Sequence, residues 1–271
     1  MSTRRFDKYE GTGNDFVVLD GARWPEADLT PALARALCDR HAGVGADGVL
    51  WVGPAPDDRG ARMIILNADG TRPEMCGNGV RCVAAWLADR GSLAPGEAVT
   101  VWSDAGPRVT TLLSREGGVW RVEVDMGEAR VAPGRETVVV GGRELPVRPV
   151  DVGNPHGVIF APVGDEMAAV REVTALAAFP KGVNVEFVVR EGDGFRVRVH
   201  ERGVGWTQAC GTGACAVAAA AVREGFARPG EPVAVTLDGG TLTIVLEPGY
   251  DRVRMTGPAR RVFSGELPPA P

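Results

Sequence analysis

The feature that most constrains this 271-residue chain is an internal repeat. Three short motifs occur in the same order in both halves of the sequence, at similar spacing. The matched segments are Gly13–Leu19 with Gly153–Ile159, Gly43–Leu50 with Gly182–Val189, and Cys76–Gly79 with Cys210–Gly213. Repeats in register indicate duplicated structural units. We therefore expect two homologous lobes, residues 1–120 and 121–258, with residues 259–271 joining the first lobe.

Local patterns predict a mixed α/β fold in which strands dominate. Short Val-rich segments bounded by Gly, Pro and Asp are typical of strands, and clear helical patterns are few. The predicted strands include Phe16–Leu19, Arg62–Leu66, Val119–Val124, Thr137–Val140, Val158–Phe160, Val185–Val189, Phe195–Val199, Val233–Leu237, Leu242–Leu246 and Arg252–Met255. The predicted helices are Pro31–Arg40 (capped by Thr30), Gly79–Arg90, Glu166–Phe179 and Gly213–Glu224. Because strands and helices do not alternate regularly, we expect mostly antiparallel sheets wrapped on one or two helices.

Composition argues against several classes of protein. The chain is 44% hydrophobic and 24% charged with a net charge of −5, which is typical of a soluble protein without a basic face for nucleic acid. The first residues have no apolar segment, and no uncharged run is long enough to span a bilayer. Five cysteines without an export signal indicate reduced thiols. We expect a cytoplasmic protein with neither nucleic acid nor membrane as a partner.

Cys76 and Cys210 each stand directly before Gly-x-Gly and an Ala-rich segment predicted to be helical. At a helix N-terminus the unpaired N–H groups and the dipole favour an anion, so a thiol with a reference pKa of about 8.5 can shift towards thiolate. The neighbouring glycines let a substrate carboxylate approach the same N–H groups. One turn could therefore hold both a base and the negative end of a substrate.

A duplicated thiol suits the inversion of a carbon centre. One group must remove a proton from one face while a second delivers a proton to the opposite face, so one cysteine is thiolate while the other is thiol. The Cα–H of an amino acid is far less acidic than a thiol. We therefore expect N–H donors to the carboxylate and exclusion of water to lower the barrier to removal of the Cα proton. The pattern predicts a cofactor-free amino-acid epimerase with Cys76 and Cys210 as its acid–base pair.

The other three cysteines, Cys38, Cys82 and Cys215, fall inside predicted helices and are expected to be small buried hydrophobes. A zinc site is disfavoured, because neither Cys76 with Cys82 nor Cys210 with Cys215 has the usual ligand spacing. No metal is therefore expected. A redox disulfide between Cys76 and Cys210 stays open as an inactive form.

Several polar residues near the repeats have either a functional or a purely structural interpretation. His156, and the pair Glu201–Arg202, could tune a neighbouring thiol, because a base takes its proton and a cation stabilises the thiolate. Alternatively, His156 is an ordinary histidine in a turn, and Glu201 and Arg202 form an ion pair at the surface. Asparagines beside Gly or Pro commonly form turns, but three of the four here fall in repeated or cysteine-proximal segments, which favours substrate contacts. These asparagines are Asn14, Asn67, Asn154 and Asn184.

With these residues assembled, the chain resembles the diaminopimelate epimerases almost from end to end. The segments that carry the resemblance are Gly11–Phe16, Arg40–Gly48, Asn67–Cys82, Gly153–His156, Gly182–Asn184 and Glu201–Cys215. The resemblance implies a pyridoxal-independent isomerase that converts LL-diaminopimelate into the meso form for lysine and peptidoglycan synthesis. It also implies two α/β lobes, each a sheet wrapped around a central helix, with the active site between them and commonly a homodimer.

The resemblance also assigns roles to individual residues. Cys210 would take the proton from the LL substrate and Cys76 would deliver one to the other face, while His156 and Glu201 would adjust the thiol pKa values. The implied substrate-binding positions are Asn14, Asn67, Gly77, Asn78, Asn154, Asn184, Glu201, Arg202, Gly211 and Thr212.

Two positions depart from the family pattern: Trp206 stands where Glu is usual, and Gly48 where some members have Gln. The nearest alternative is a proline or hydroxyproline racemase, whose small substrate has no distal amino-acid end for Glu201 and Arg202 to hold. The phenazine-biosynthesis isomerases, which lack one thiol, are disfavoured because both cysteines are present. A non-catalytic amino-acid-binding protein of the same fold is the alternative from another class.

Overall fold

The computed structural model describes residues 4–57 and 60–267. The chain forms two compact units: unit 1 comprises Met1–Val124 and Gly257–Pro271, and unit 2 comprises Asp125–Thr256. The chain passes from unit 1 to unit 2 within one strand and returns within the last one. Residues 268–271, predicted to join the first lobe, lie outside the described residues.

In its described residues, unit 1 contains two α-helices and seven strands, together with part of the last strand of the chain. The strands are β1 (Arg4–Gly11), β2 (Asn14–Asp20), β3 (Gly48–Pro54), β4 (Ala61–Asn67), β5 (Ala98–Ser103), β6 (Gly106–Glu116), β7 (Val119–Gly127) and β17 (Val253–Leu267). The helices are α1 (Pro31–Cys38) and α2 (Gly77–Asp89), and a 3₁₀ turn covers Glu26–Asp28. Strand β1 pairs antiparallel with β2 and β17. Two strands that are separated by a helix in the sequence pair in parallel. Examples are β2 with β3 and β4 with β5.

Unit 2 repeats this order of elements. Its strands are β8 (Arg130–Val131), β9 (Glu136–Val140), β10 (Arg143–Asp151), β11 (Pro155–Ile159), β12 (Asn184–Glu191), β13 (Gly194–Glu201), β14 (Gly205–Thr207), β15 (Pro232–Leu237) and β16 (Gly240–Leu246). Its helices are α3 (Glu166–Thr174) and α4 (Gly211–Arg223). Strand β11 pairs parallel with β12 across α3, and β13 pairs parallel with β15 across α4. The pairings that join consecutive strands, such as β12 with β13, are antiparallel. The predicted mixed α/β fold dominated by strands is confirmed.

The central helix of each unit is almost wholly buried. In α2 every residue from Gly77 to Trp86 is buried, and in α4 every residue from Gly213 to Ala221. A helix buried on all sides is mostly apolar all round, and the buried Asn78 and Arg81 of α2 are exceptions; the alanines of α4 also let the strands approach its backbone closely. Both helices therefore serve as the cores of their units, and their first turns are fixed by that packing.

The observed helix bounds differ from the predicted ones for local reasons. Helix α1 begins after its Thr30 cap as predicted, but it ends at Cys38, because the Asp39 carboxylate accepts hydrogen bonds from the N–H groups of His41 and Ala42 and turns the chain. Helix α3 ends at Thr174. Across the described ranges, no helix combines the length and apolar character needed to cross a membrane.

Candidate active site

The two paired cysteines are the N-cap residues of the two central helices. Cys76 (φ −141°, ψ 114°) precedes α2 and Cys210 (φ −130°, ψ 108°) precedes α4, so both helices start two residues earlier than predicted. Gly77 and Gly211 are the first helical residues. Since the first N–H groups of a helix have no partner within it, each thiol lies beside donors that can bind an anion.

In unit 1 the thiol of Cys76 meets a chain of amide side chains. Its Sγ lies 3.8 Å from Oδ1 of Asn14, which also accepts a hydrogen bond from Nδ2 of Asn78 at 3.2 Å. Nδ2 of Asn14 donates to the Asp47 carboxylate at 2.8 Å. The predicted site residues Asn14, Cys76 and Asn78 are therefore brought together.

Arg81, one turn further along α2, anchors this chain and has no solvent exposure. Its guanidinium donates to Oδ1 of Asn78 at 2.9 Å, to the hydroxyl of Thr12 at 2.6 Å and to the backbone carbonyl of Pro258 at 3.2 Å. A buried guanidinium is tolerated only when its N–H groups are satisfied, as they are here. The buried cation fixes the position and orientation of Asn78.

A second group of charges supports Asn14 from the other side. The Asp15 carboxylate lies 2.7 Å from Nζ of Lys8 and 2.9 Å from the Arg40 guanidinium. Burial by itself would raise the pKa of Asp15, but hydrogen bonds and charge from Arg40 and Lys8 outweigh it and lower that pKa to about 2. Arg40 also binds Asp47 at 2.8 Å, so the carboxylate that holds Asn14 is itself held.

In unit 2 the thiol of Cys210 meets hydrogen-bond donors. Sγ accepts from the Gly213 N–H at 3.3 Å and lies 3.5 Å from the Thr212 hydroxyl. The cap of α2 differs, since the Cys76 side chain makes no capping hydrogen bond within that described helix. The two cysteines thus occupy equivalent positions in the repeat but have different partners.

His156 and Asn154 continue the network behind Cys210. Nδ2 of Asn154 donates to the Thr212 hydroxyl at 3.4 Å, and its Oδ1 lies 3.0 Å from Nε2 of His156. Nδ1 of His156 lies 2.6 Å from Oε1 of Glu186, and both of these side chains are fully buried. A run of contacts therefore leads from Glu186 through His156, Asn154 and Thr212 to the thiol.

The expectation that the helix N-terminus shifts Cys210 towards thiolate is wrong, because its pKa is raised and not lowered. Burial raises the pKa of Cys210 well above its ordinary value, and the negative charges of Glu201 and Glu186 raise it further. The hydrogen bonds from Thr212 and Gly213 act in the opposite direction but are outweighed. The dipole argument failed because it ignored the cost of placing a thiolate in a buried site beside two carboxylates.

Glu201, Arg202 and Asn184 form the outer part of the unit 2 cluster. Glu201 accepts a hydrogen bond from the Thr207 hydroxyl, and Oδ1 of Asn184 accepts from the Arg202 backbone N–H at 2.9 Å. Nδ2 of Asn184 donates to the carbonyl of Pro155, next to His156, at 3.3 Å. Asn184 therefore joins the loop that carries Arg202 to the strand that carries His156.

Asn67, at the end of β4, closes a turn by donating from its side-chain amide to the Thr71 hydroxyl at 2.9 Å. The neighbouring Ala68 N–H donates to the Asp47 carbonyl at 2.9 Å. Trp206, on β14, is partly exposed and stacks against Arg198, 4.5 Å from the ring centroid. Gly48 begins β3 opposite Asn67.

Sequence reasoning overlooked several residues of these networks, among them Asp47, Arg81 and Glu186. Glu186 and Arg81 each stand in an otherwise apolar, wholly buried segment, and that placement of a charge was the available signal. Oε2 of Glu186 has no hydrogen-bond partner among the described residues. Asp47 lay inside a repeated motif but had no role assigned to it.

The remaining cysteines are buried within helices, Cys38 in α1, Cys82 in α2 and Cys215 in α4. Cys38, Cys82 and Cys215 are 4% exposed or less, and burial raises the pKa of Cys82 well above its ordinary range and that of Cys38 to about 11. Nowhere in residues 4–57 and 60–267 do His, Cys, Asp and Glu side chains cluster so as to hold a metal ion.

Comparison with known sequences places these networks in a family context. The family model described as diaminopimelate epimerase matches residues 6–132 and 149–262. The chain is 42% identical to a diaminopimelate epimerase of Synechococcus sp. (strain JA-3-3Ab), with 96% of each chain covered. It is also 42% identical to that of Pelotomaculum thermopropionicum, covering 97% of this chain and 98% of the relative.

Solved structures with a similar fold share much less sequence. A hydroxyproline epimerase from Agrobacterium vitis superposes with a TM-score of 0.73 at 19% identity, covering 98% of this chain and 91% of that one. A PhzF-family phenazine biosynthesis protein from Bacillus anthracis gives a TM-score of 0.73 at 16% identity, covering 99% and 100%. At these identities the likeness concerns the fold alone.

Proposed function

The chain belongs to the diaminopimelate epimerase family, and from that premise we propose that it interconverts LL- and meso-2,6-diaminopimelate by a two-base mechanism with no cofactor. The enzyme is an isomerase. The observation that carries the proposal is that each unit presents one cysteine thiol at the first turn of its buried central helix.

In the LL-to-meso direction, Cys210 removes the Cα proton and becomes a thiol. The electron pair left on Cα is delocalised into the adjacent carboxylate. Cys76 then donates its thiol proton to the opposite face of Cα and becomes a thiolate. One C–H bond breaks and another forms, the net charge is unchanged, and the reverse reaction exchanges the two roles.

The hard step is removal of a proton from a carbon far less acidic than a thiol. The negative charge that develops on the carboxylate needs donors already in place, and the first turns of α2 and α4 supply backbone N–H groups at Gly77, Asn78, Gly211 and Thr212. Because those N–H groups belong to rigid buried helices, little reorganisation is required when the charge appears. Their contribution is therefore greatest in the transition state.

Polar side chains outside the two helix turns select the substrate. We assign the zwitterionic ends of the substrate to Asn14, Asn67, Asn154, Asn184, Glu201 and Arg202. An ammonium group needs acceptors such as the Asn oxygens and Glu201, and a carboxylate suits the guanidinium of Arg202. The exposed Arg202 side chain, which donates a hydrogen bond to the Lys181 carbonyl at 2.6 Å, supports recognition of the distal carboxylate.

The fold relatives include a hydroxyproline epimerase, so proline-type substrates form the second candidate. Proton NMR in D₂O with LL-diaminopimelate, L-proline and L-lysine in one mixture separates the candidates. We expect loss of the Cα–H signal and appearance of the meso isomer for diaminopimelate alone. Exchange into proline would contradict the substrate assignment, and no exchange into any of the three would indicate a non-catalytic binding protein.

Family membership also leads us to propose a role in lysine and peptidoglycan precursor synthesis, a cytoplasmic location and a homodimer. The oligomeric state is tested by light scattering coupled to size-exclusion chromatography, with a mass near twice 28.5 kDa expected. A mass that stays near 28.5 kDa over a wide concentration range would contradict the dimer.

A further inference from the structure

The loop that joins β1 to β2 has an unusual residue at its first position. Gly11 pairs with Asn14 across the hairpin, so the loop consists of Thr12 and Gly13. Both have positive φ, 59° at Thr12 and 75° at Gly13, as in a type I′ hairpin turn. Glycine adopts such angles freely, whereas a β-branched residue with positive φ is an outlier that costs free energy. Thr12 is therefore a strained residue in the hairpin that leads into the site.

Backbone strain persists where the surrounding contacts hold a residue in place, and the contact at Thr12 is with Arg81. Nη2 of Arg81 donates to the Thr12 hydroxyl at 2.6 Å, and both residues are at most 2% exposed. The guanidinium also lies close to the backbone of the hairpin, since a Cβ added to Gly11 would approach Nη2 of Arg81 to 3.3 Å. Nε of Arg81 donates to the Pro258 carbonyl on β17 at 3.2 Å. One buried cation thus holds the turn against α2 and β17.

The conformation of this turn decides where the Asn14 side chain lies. The type and length of a hairpin loop set the register of its two strands, and a slip by one residue turns every side chain to the other face. In the observed register, Oδ1 of Asn14 lies 3.2 Å from Nδ2 of Asn78 and 3.8 Å from Sγ of Cys76. The strained turn therefore places Asn14 at the first turn of α2.

Arg81 holds both sides of the contact between the hairpin and the helix. Besides binding Thr12, its guanidinium donates to Oδ1 of Asn78 at 2.9 Å. A guanidinium has several N–H donors in fixed directions, which the single ammonium of a lysine does not reproduce. The same group therefore fixes the amide on the helix and the turn that carries the opposing amide of Asn14.

We propose that Thr12 and Arg81 are positioning residues of the site in unit 1. The buried guanidinium holds the hydroxyl of a strained turn residue, and the turn holds Asn14 beside Cys76 and Asn78. This inference rests on the proposed function, in which Asn14 binds the substrate. Glycine would relieve the strain at position 12 but has no side chain to bind Arg81. The hydroxyl is what threonine contributes in exchange for the strain.

Thr12→Val and Thr12→Ser separate the hydroxyl from the rest of the side chain. Valine keeps the branched shape but cannot accept a hydrogen bond, whereas serine keeps the hydroxyl. Thr110→Val is the matched control, because Thr110 is also wholly buried in unit 1 and donates its hydroxyl to the Val99 carbonyl at 2.9 Å. The control removes a buried hydroxyl from a different hairpin, that of β5 and β6.

Hydrogen–deuterium exchange of the full chain without substrate, followed by peptide mass spectrometry, measures the local opening of each hairpin. Thr12→Val should speed exchange in peptides covering residues 9–16 by about tenfold, which is the size expected when a hydrogen bond to a charged group is lost. Thr12→Ser should exchange as the unmodified chain does. Thr110→Val should speed exchange in β5 and β6 but not in residues 9–16.

Epimerisation of LL-diaminopimelate is then measured in the same variants. The value of kcat/KM should fall by roughly tenfold in Thr12→Val, because even a small misplacement of a binding group is costly. It should stay near that of the unmodified chain in Thr12→Ser and Thr110→Val. Arg81→Lys keeps the charge but cannot make the three hydrogen bonds to Thr12, Asn78 and Pro258, so it should show both changes seen in Thr12→Val.

The proposal is overturned if exchange in residues 9–16 is unchanged in Thr12→Val, if Thr12→Ser is impaired to the same extent, or if Thr110→Val loses as much epimerisation. Faster exchange in Thr12→Val with normal epimerisation would also overturn it, since the turn would then not position Asn14. If the unmodified chain epimerises nothing, the proposed function fails, and the exchange rates still decide whether Arg81 holds the turn.

Discussion

Nδ1 of His156 lies 2.6 Å from Oε1 of Glu186, and neither side chain is exposed to solvent. The same Oε1 lies against the first turn of α4, where a Cβ added to Gly213 would approach it to 2.9 Å and Sγ of Cys210 to 3.2 Å. The buried carboxylate is thus held between an imidazole and the positive end of a helix. Gly213 leaves the space that this arrangement needs.

Gly213→Ala should therefore destabilise the chain more than the equivalent change in α2. Overpacking of a filled site costs about 1–3 kcal/mol, and neither the carboxylate nor the thiol can move without losing a hydrogen bond. At Gly79, an added Cβ would meet Cδ2 of Leu50 at 3.0 Å, the end of a flexible side chain that can give way. Both changes gain about 1 kcal/mol of helix propensity, so the difference between them isolates the overpacking.

Urea unfolding of Gly213→Ala and Gly79→Ala measures that difference. We expect the α4 variant to be about 1–3 kcal/mol less stable than the α2 variant and to lose epimerase activity, while the α2 variant is as stable as the unmodified chain or slightly more stable. Equal stabilities for the two variants would show that the position of Glu186 does not require a residue without a Cβ at Gly213.

Glu201→Gln should make the thiol of Cys210 easier to deprotonate. After burial, the charge of Glu201 is the largest influence that raises the pKa of Cys210. Removing the charge while keeping the shape should shift the midpoint of the pH dependence of Cys210 alkylation by iodoacetamide to lower pH, even though substrate binding is weakened. Glu191→Gln, on an exposed stretch of β12, is the matched control and should leave that midpoint in place. An upward shift in Glu201→Gln would refute the electrostatic assignment.

Asp15 should make folding depend on pH in the acid range. Its pKa is about 2 in the folded chain and about 3.9 in an unfolded one, so its contribution is complete above about pH 4 and disappears as the pH falls towards 2. The difference in unfolding free energy between the unmodified chain and Asp15→Asn should shrink by about 2 kcal/mol over that window. A difference that stays constant with pH would mean that Arg40 and Lys8 do not stabilise the charged form.

The parts of the fold that could be predicted from the sequence are those that follow the internal repeat. The first matched motif corresponds to β2 and β11, the second to the loops leading into β3 and β12 with the first residues of those strands, and the third to the caps of α2 and α4. Strand β1 and the full length of β17 were not predicted, because five of the eight residues of β1 are charged and charged residues recur to the end of β17. Their strand character comes from pairing with each other, which is a long-range interaction.

The site was predicted less completely because its polarity depends on partners that are distant in sequence. Asn14 and Asn154 were recognised as a matched pair, yet one turns its oxygen and the other its NH₂ towards the cysteine-bearing helix turn. The first amide contacts Asp47 and Asn78, and the second contacts Thr212 and His156. A motif comparison shows that the two amides are equivalent but cannot show that their neighbours differ.

The central claim, one essential thiol in each unit, is tested most directly by Cα deuterium exchange and epimerisation of LL-diaminopimelate in Cys76→Ala and Cys210→Ala. Cys38→Ala and Cys215→Ala, which remove buried thiols from α1 and α4, are the matched controls. We expect both site variants to fold and to lose at least about 10³-fold in epimerisation, as is typical when an acid–base group is removed, while both controls remain active. Near-normal epimerisation by either folded site variant would contradict the two-thiol mechanism.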